Sequence, residues 1–362
     1  MPLRRLAAGL SPPRCEALFA EDDLGNALAV LNADLDGISH AGSVAETAAM
    51  AQAFRHHLSQ LAVLNDSPLL LGRLLTTLCD RCTQHLLTLA MADGAGRSLP
   101  AQPWCWLALG AQGRNEMVPS SDQDNALVFL ANDAAEARTL SPLFQSFATQ
   151  INEGLAACGF PLCQGGVMAG QADCCLSLND WQDRFNQWVH TPEPEALLKA
   201  VIFFDFRPVH GDPSLADALR RHLFSLTRDN SGFLRMLACN ALDVAPPLAP
   251  LGGLNNDHVD LKIYGTRLFV DAARILALDQ GIPAMASSDR LAACLPEQDA
   301  RAAIAAYHLI QGQRLQHQHT TEPDNVLDTR RLSRYEYRQL REAMEQARTL
   351  QSLIDIRYCR TL

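Results

Sequence analysis

Trp104-Cys105-Trp106-Leu107-Ala108-Leu109-Gly110 and Ala126-Leu127-Val128-Phe129-Leu130 are two short apolar runs, joined by a polar connection that carries Asp122 and Asp124. Each run is bounded by turn residues and is too short for a helix, which predicts two strands buried on both faces. Gly110 closes the first run, where a backbone without Cβ can approach a ligand closely. Gly113 and Arg114 follow in the turn. Peptide N–H groups there, together with the fixed fork of the arginine, suit a polyphosphate. Asp122 and Asp124 are expected to enter the second strand two residues apart, so that both carboxylates point to one face. Two adjacent carboxylates repel each other unless a cation lies between them. Beside a triphosphate the matching cation is Mg²⁺, with Mn²⁺ able to replace it. The pattern describes nucleotidyl transfer assisted by two metals, with Asp122 and Asp124 as the metal ligands.

On either side of this stretch the texture is helical. Leu24, Leu28, Leu31 and Leu35 recur three or four apart, as do Leu58, Leu61 and Leu64. Gly37 and Gly42 are read as a break, and Asp66-Ser67-Pro68 as a helix start. Gly94 to Pro103 reads as a turn-rich linker. After the second strand a helix is expected from Ser141-Pro142 to about Cys158, and another from Asn179-Asp180-Trp181. Val201 to Arg207 fits either a strand or the end of a helical pattern that begins at Glu195. From about Ser214 onward the sequence is helical, with its longest segments at Arg301 to Gln318 and Ser333 to Tyr358. The expected fold class is α+β, a small mixed sheet with flanking helices. Residues 1–98 form an N-terminal helical region, 99–213 the core, and 214–362 a C-terminal helical bundle.

The chain has 362 residues and a formal net charge of −10, which disfavours phosphate backbones and anionic membrane surfaces. Its 11 cysteines are scattered and odd in number, as in a protein whose thiols stay reduced, so a cytoplasmic location is expected. No apolar stretch is long enough to span a membrane, and the N-terminus lacks the pattern of a secretory signal. Cys79-x-x-Cys82-x-x-His85 has metal-like spacing but lies in an Ala/Leu helical stretch with no second pair nearby, so it reads as core. There is no Walker motif and no dinucleotide fingerprint.

The stretch from Leu107 to Phe129 resembles the nucleotidyltransferase superfamily, and more narrowly the bacterial PII-uridylyltransferase and glutamine-synthetase-adenylyltransferase branch. The chain is most similar to the nucleotidyltransferase-like proteins catalogued as domain of unknown function 294. Phe160-Pro161-Leu162-Cys163-Gln164-Gly165-Gly166-Val167-Met168-Ala169 and Phe203-Phe204-Asp205-Phe206-Arg207-Pro208-Val209-His210-Gly211-Asp212 carry the likeness further. Val259-Asp260-Leu261-Lys262, Arg314-Leu315-Gln316-His317-Gln318 and Pro323-Asp324-Asn325 fit that family's companion helical domain. The resemblance implies a nucleoside triphosphate substrate bound by Gly110, Ala111, Gly113 and Arg114. It also implies an acceptor hydroxyl on a protein or small molecule. Ala111 replaces the superfamily's usual serine, at the cost of one hydrogen bond to the triphosphate. Many members carry a sensing domain before this core. Here only a helical region precedes it, so an input signal is expected through that region or a partner.

Such enzymes use a further acid. Asp205, flanked by phenylalanines, is the candidate, with a structural pair to Arg207 as the alternative reading. Arg207 is otherwise a candidate phosphate contact. Gly165-Gly166 is read either as part of a third strand beside the nucleotide or as an ordinary turn. Asp260, Lys262, Arg314 and His317 are polar residues in apolar helical sequence, with Lys262 a candidate phosphate contact. Two other functions stay open. One is a nucleotide-binding regulatory module without turnover; the other, weaker, is an RNA-modifying transferase.

Overall fold

The computed structural model describes residues 21–64, 67–92, 99–191, 200–228, 230–250, 253–317 and 325–360. The expected linker at 94–98, Glu195, Gln318 and Pro323-Asp324 lie outside the described residues. The fold is α+β, and the chain divides into two compact units. The first runs to Trp181 and resumes over Phe206–Leu219. The second comprises Gln182–Asp205 and Arg220–Leu362.

The first unit opens with helices α1 (Glu21–His40), α2 (Val44–Leu64) and α3 (Pro68–Ala92). Leu28, Leu31, Leu35 and Ile38 bury one stripe of α1, while Phe54, Leu58 and Leu61 do the same on α2. Ser67 starts α3 by accepting from the Leu70 N–H. The break between α1 and α2 lies at residues 41–43. Gly37 lies inside α1 and not at the break, and a Cβ there would come within 2.9 Å of Met50 Sδ, so it is a contact glycine and not a helix stop.

The four-stranded sheet has the order β3-β2-β1-β4. Strands β1 (Trp104–Ala108) and β2 (Asn125–Phe129) are the two expected runs, paired antiparallel. β3 (Cys175–Ser177) lies parallel to β2, and β4 (Arg207–Gly211) antiparallel to β1. Helix α4 (Ala134–Ala157) covers the sheet: Phe144 stacks on Phe129 at 4.8 Å, and Phe147 meets Trp104 edge-on. This helix starts eight residues before Pro142. Asp133 caps it by accepting from the Ala135 and Glu136 N–H groups, and the proline is accommodated in the helix interior. Helix α5 (Leu178–His190) follows β3, and its Trp181 donates to the Leu127 carbonyl. A 3-10 turn (Val201–Phe204) leads to β4, so the ambiguous run resolves into a turn followed by a strand.

Helix α6 (Pro213–Thr227) carries the chain from the first unit into the second. The second unit then builds α7 (Ser231–Leu242), a ladder of β5 (His258–Asp260) with β6 (Val326–Asp328), α8 (Arg267–Gln280), α9 (Ser287–Cys294), α10 (Glu297–His317) and α11 (Arg334–Ile354). Helix α8 is buried along most of its length. Helix α11 opens on a Ser333/Glu336 capping box. Phe185, Trp188, Phe203, Phe204 and Phe233 form an aromatic cluster in this unit. Among the described residues, no helix is long and apolar enough to cross a membrane.

Candidate active site

Strand register gathers the site. Ala108, the last residue of β1, pairs with Asn125 at the start of β2 and with Arg207 at the start of β4. The exit of one strand and the beginnings of two others therefore meet at one edge of the sheet. Just past β1, Gly110 takes φ 51°, a left-handed conformation that favours glycine, and opens a single helical turn through Gly113. The first N–H groups of such a turn have no intrahelical acceptor. Asn115 closes the connection at φ 60°. The following loop runs close over α3 at Gly72, where a Cβ would come within 3.1 Å of the Met117 carbonyl.

Asp122 and Asp124 lie in the extended segment before β2 and not in the strand itself. Strand-like alternation nevertheless begins there. Gln123 and Asn125 turn inward and are fully buried, while Asp122 and Asp124 turn the other way. The inward residues form an amide network. Gln123 Nε2 donates to the Asn152 and Phe160 carbonyls, and Asn152 Nδ2 donates to Gln123 Oε1 and Asn125 Oδ1. Backbone bonds from Leu109 N–H to the Asp124 carbonyl and from Gln123 N–H to the Pro161 carbonyl fix the segment further.

On the outward side a third group joins the two aspartates. Ligand atoms of Asp122, Asp124 and Cys163 all lie within 4.8 Å of one another. Burial and the neighbouring aspartate charges push the Cys163 thiol up to about 11. Two carboxylates and a thiol, with Asp124 and Cys163 half-buried, are a donor set that fits a divalent cation. Sequence reading missed the sulfur. The Gly165-Gly166 pair beside it is a turn, closed by the Gly166 N–H on the Cys163 carbonyl with Gly166 at φ 71°, and it contributes no strand.

The arginines are engaged. Arg114 Nε donates to Glu116 at 2.8 Å, with both side chains largely buried. Arg207 Nη2 donates to both Asp80 oxygens at 2.8 and 2.7 Å and to the Gln112 carbonyl at 3.2 Å. Gln112 Nε2 also donates to Asp80. Arg207 thus braces the Gly110–Gly113 turn against α3. Gln112 is read from the sequence as a further donor to the triphosphate in place of the missing serine hydroxyl; Asp80 carried no sequence signal, because its pairing with Arg207 and Gln112 depends on α3 packing beside β4.

Asp205 lies in the second unit at 0% exposure, and its partners are two arginines from helices distant in sequence. Arg274 Nη2 reaches Oδ2 at 2.7 Å and Arg290 Nη1 reaches Oδ1 at 2.6 Å. The carboxylate thus carries a guanidinium on each oxygen, as in a buried ion pair, and in the alternative reading of Asp205 as one half of a pair the partners are Arg274 and Arg290 in place of Arg207. Lys262 is exposed at the head of a π-helical turn, which Asp260 caps by accepting from the Lys262 and Ile263 N–H groups. Arg314 donates to Asn325, and the His317 side chain lies outside the described residues. His85 contacts the Ala41 carbonyl, while Cys79 and Cys82 are buried in α3.

Comparison with known proteins completes the assignment. No curated protein matches the chain. Residues 52–195 match the family described as Putative nucleotidyltransferase DUF294, and residues 231–358 match its Putative nucleotidyltransferase substrate binding domain. The first match contains Asp122, Asp124 and the turn at Gly110. The second spans most of the helical unit. With both matches in sequence order over most of its length, the chain belongs to the DUF294 nucleotidyltransferase family.

Proposed function

We propose that this protein moves a nucleoside monophosphate from a nucleoside triphosphate to a hydroxyl group of a protein or small molecule, with Mg²⁺. The observation that carries the reading is the convergence of Asp122 and Asp124 at the sheet edge where Gly110 opens its turn. A divalent cation bound there supplies neutralisation of charge on the attacking and leaving oxygens. Asp122 and Asp124 would hold it. The backbone at Gly110, Ala111 and Gly113 borders the triphosphate, and Ala111 forgoes one hydroxyl contact worth about 0.5–1.5 kcal/mol. Arg207, tied to Asp80, keeps that turn in place. Lys262 is the proposed phosphate contact of the second unit. A protein or small-molecule acceptor is favoured over a polynucleotide by the net charge of −10.

The test is transfer of α-phosphate label from each of the four ribonucleotides into cell extract with Mg²⁺. Asp122→Asn and Asp124→Asn are each expected to lower labelling by about a thousandfold, the equivalent of roughly 4 kcal/mol of lost charge stabilisation. Labelling that survives both substitutions together would refute the mechanism. One observation favours a second reading, a nucleotide-binding regulatory module: Arg114 and Arg207 are both held by carboxylates of the protein itself. Calorimetry showing tight nucleotide binding without aspartate-dependent labelling would select that reading.

A further inference from the structure

The connection after α4 leaves the helix at Cys158 and runs along the segment that carries the aspartates. Gln123 N–H donates to the Pro161 carbonyl and Asn125 N–H to the Val167 carbonyl, so the chain is tied on both sides of Asp124. Asn125 Oδ1 accepts from the Ala169 N–H, which extends the tie. Between these anchors the backbone arches outward and returns through the Gly166 turn. Cys163 sits in that arch. Its sulfur lies within 4.8 Å of carboxylate oxygens of both Asp122 and Asp124. The same backbone pairing that orients Asp124 therefore aims the thiol.

We propose that Cys163 Sγ is a third protein ligand at the Asp122/Asp124 site, which makes it a site for thiophilic divalent cations such as Co²⁺, Zn²⁺ and Cd²⁺. The inference rests on the reading of the two aspartates as a cation site. Mg²⁺ takes oxygen ligands and gains little from sulfur, whereas thiolate selects softer ions. When the metal–sulfur bond forms, the thiol proton passes to solvent, and the two carboxylates and one thiolate carry three negative charges toward the ion. Mg²⁺ would occupy the site through the carboxylates alone, so thiophilic ions bind in competition with it and more tightly.

The probe is Co²⁺ added to the full chain, read by its thiolate-to-metal charge-transfer absorption. The wild type is expected to show the band and Cys163→Ser to lack it, with Cd²⁺ affinity reduced by at least about tenfold in the variant. No band in the wild type, or an equal band in a folded Cys163→Ser, would overturn the proposal. A measurement on the unmutated chain guards against a variant that fails to fold. Saturating Cd²⁺ should shield Cys163 from iodoacetamide, read by peptide mass, and unchanged alkylation of Cys163 overturns the proposal equally. Failure of the transfer reading looks different. A Co²⁺ band that depends on Cys163, without aspartate-dependent labelling, keeps this ligand and removes the enzyme. Labelling that depends on the aspartates, without the band, does the reverse.

Discussion

At the scale of single residues, the proposed chemistry rests on Gly110 and the run Asp122-Gln123-Asp124-Asn125. Gly110→Ala forces a Cβ into the left-handed region at φ 51° and is expected to cost about 1–2 kcal/mol, seen as a lower urea midpoint with an unchanged slope. An unshifted midpoint would show that the turn relaxes. The aspartates were legible because alternation is a local property of extended chain, and it held even though the strand begins only at Asn125. Cys163 was not legible. It comes beside Asp124 through backbone pairing between segments some forty residues apart, and nothing in a run of Leu-Cys-Gln-Gly announces that. The partners of Asp205 were not legible for a related reason. Its flanking phenylalanines correctly indicated burial, but the arginines that neutralise it come from α8 and α9.

At the scale of elements, β1 and β2 could be read from their apolar runs, since a strand buried on both faces needs no partner to be recognised. Helix α4 was read late because Ser141-Pro142 is a stronger local start signal than Asp133, yet the Asp133 side chain makes the two hydrogen bonds that begin the helix. The run Val201–Arg207 was ambiguous, and β4 beyond it was not read, because Arg207–Gly211 is a strand through pairing with β1 more than through its own composition. Gly211 closes that pairing at φ 92°, where a Cβ would lie 2.2 Å from the Trp104 carbonyl oxygen. Gly211→Ala is therefore expected to cost about 3 kcal/mol or more, and amide exchange should rise first along β1 and β4. Uniform exchange with unchanged stability would contradict that account.

At the scale of the whole molecule, the second unit is centred on charge. Asp205→Asn leaves Arg274 and Arg290 buried with less than their counter-charge and should destabilise that unit by about 3–5 kcal/mol, measured by urea unfolding. The Co²⁺ band should survive the substitution in folded protein. The order in which the chain visits its two units also has a consequence for synthesis. The polypeptide completes Asp122 and Asp124, leaves the first unit after Trp181, and returns at Phe206 to lay β4 against β1. On a ribosome, the carboxylates emerge well before the strand that closes their sheet. Until Gly211 has cleared the exit tunnel, β1 is an edge with unpaired N–H and C=O groups, open to pairing with another nascent chain. A fragment ending at residue 195, where the family match stops, would make that nascent state permanent.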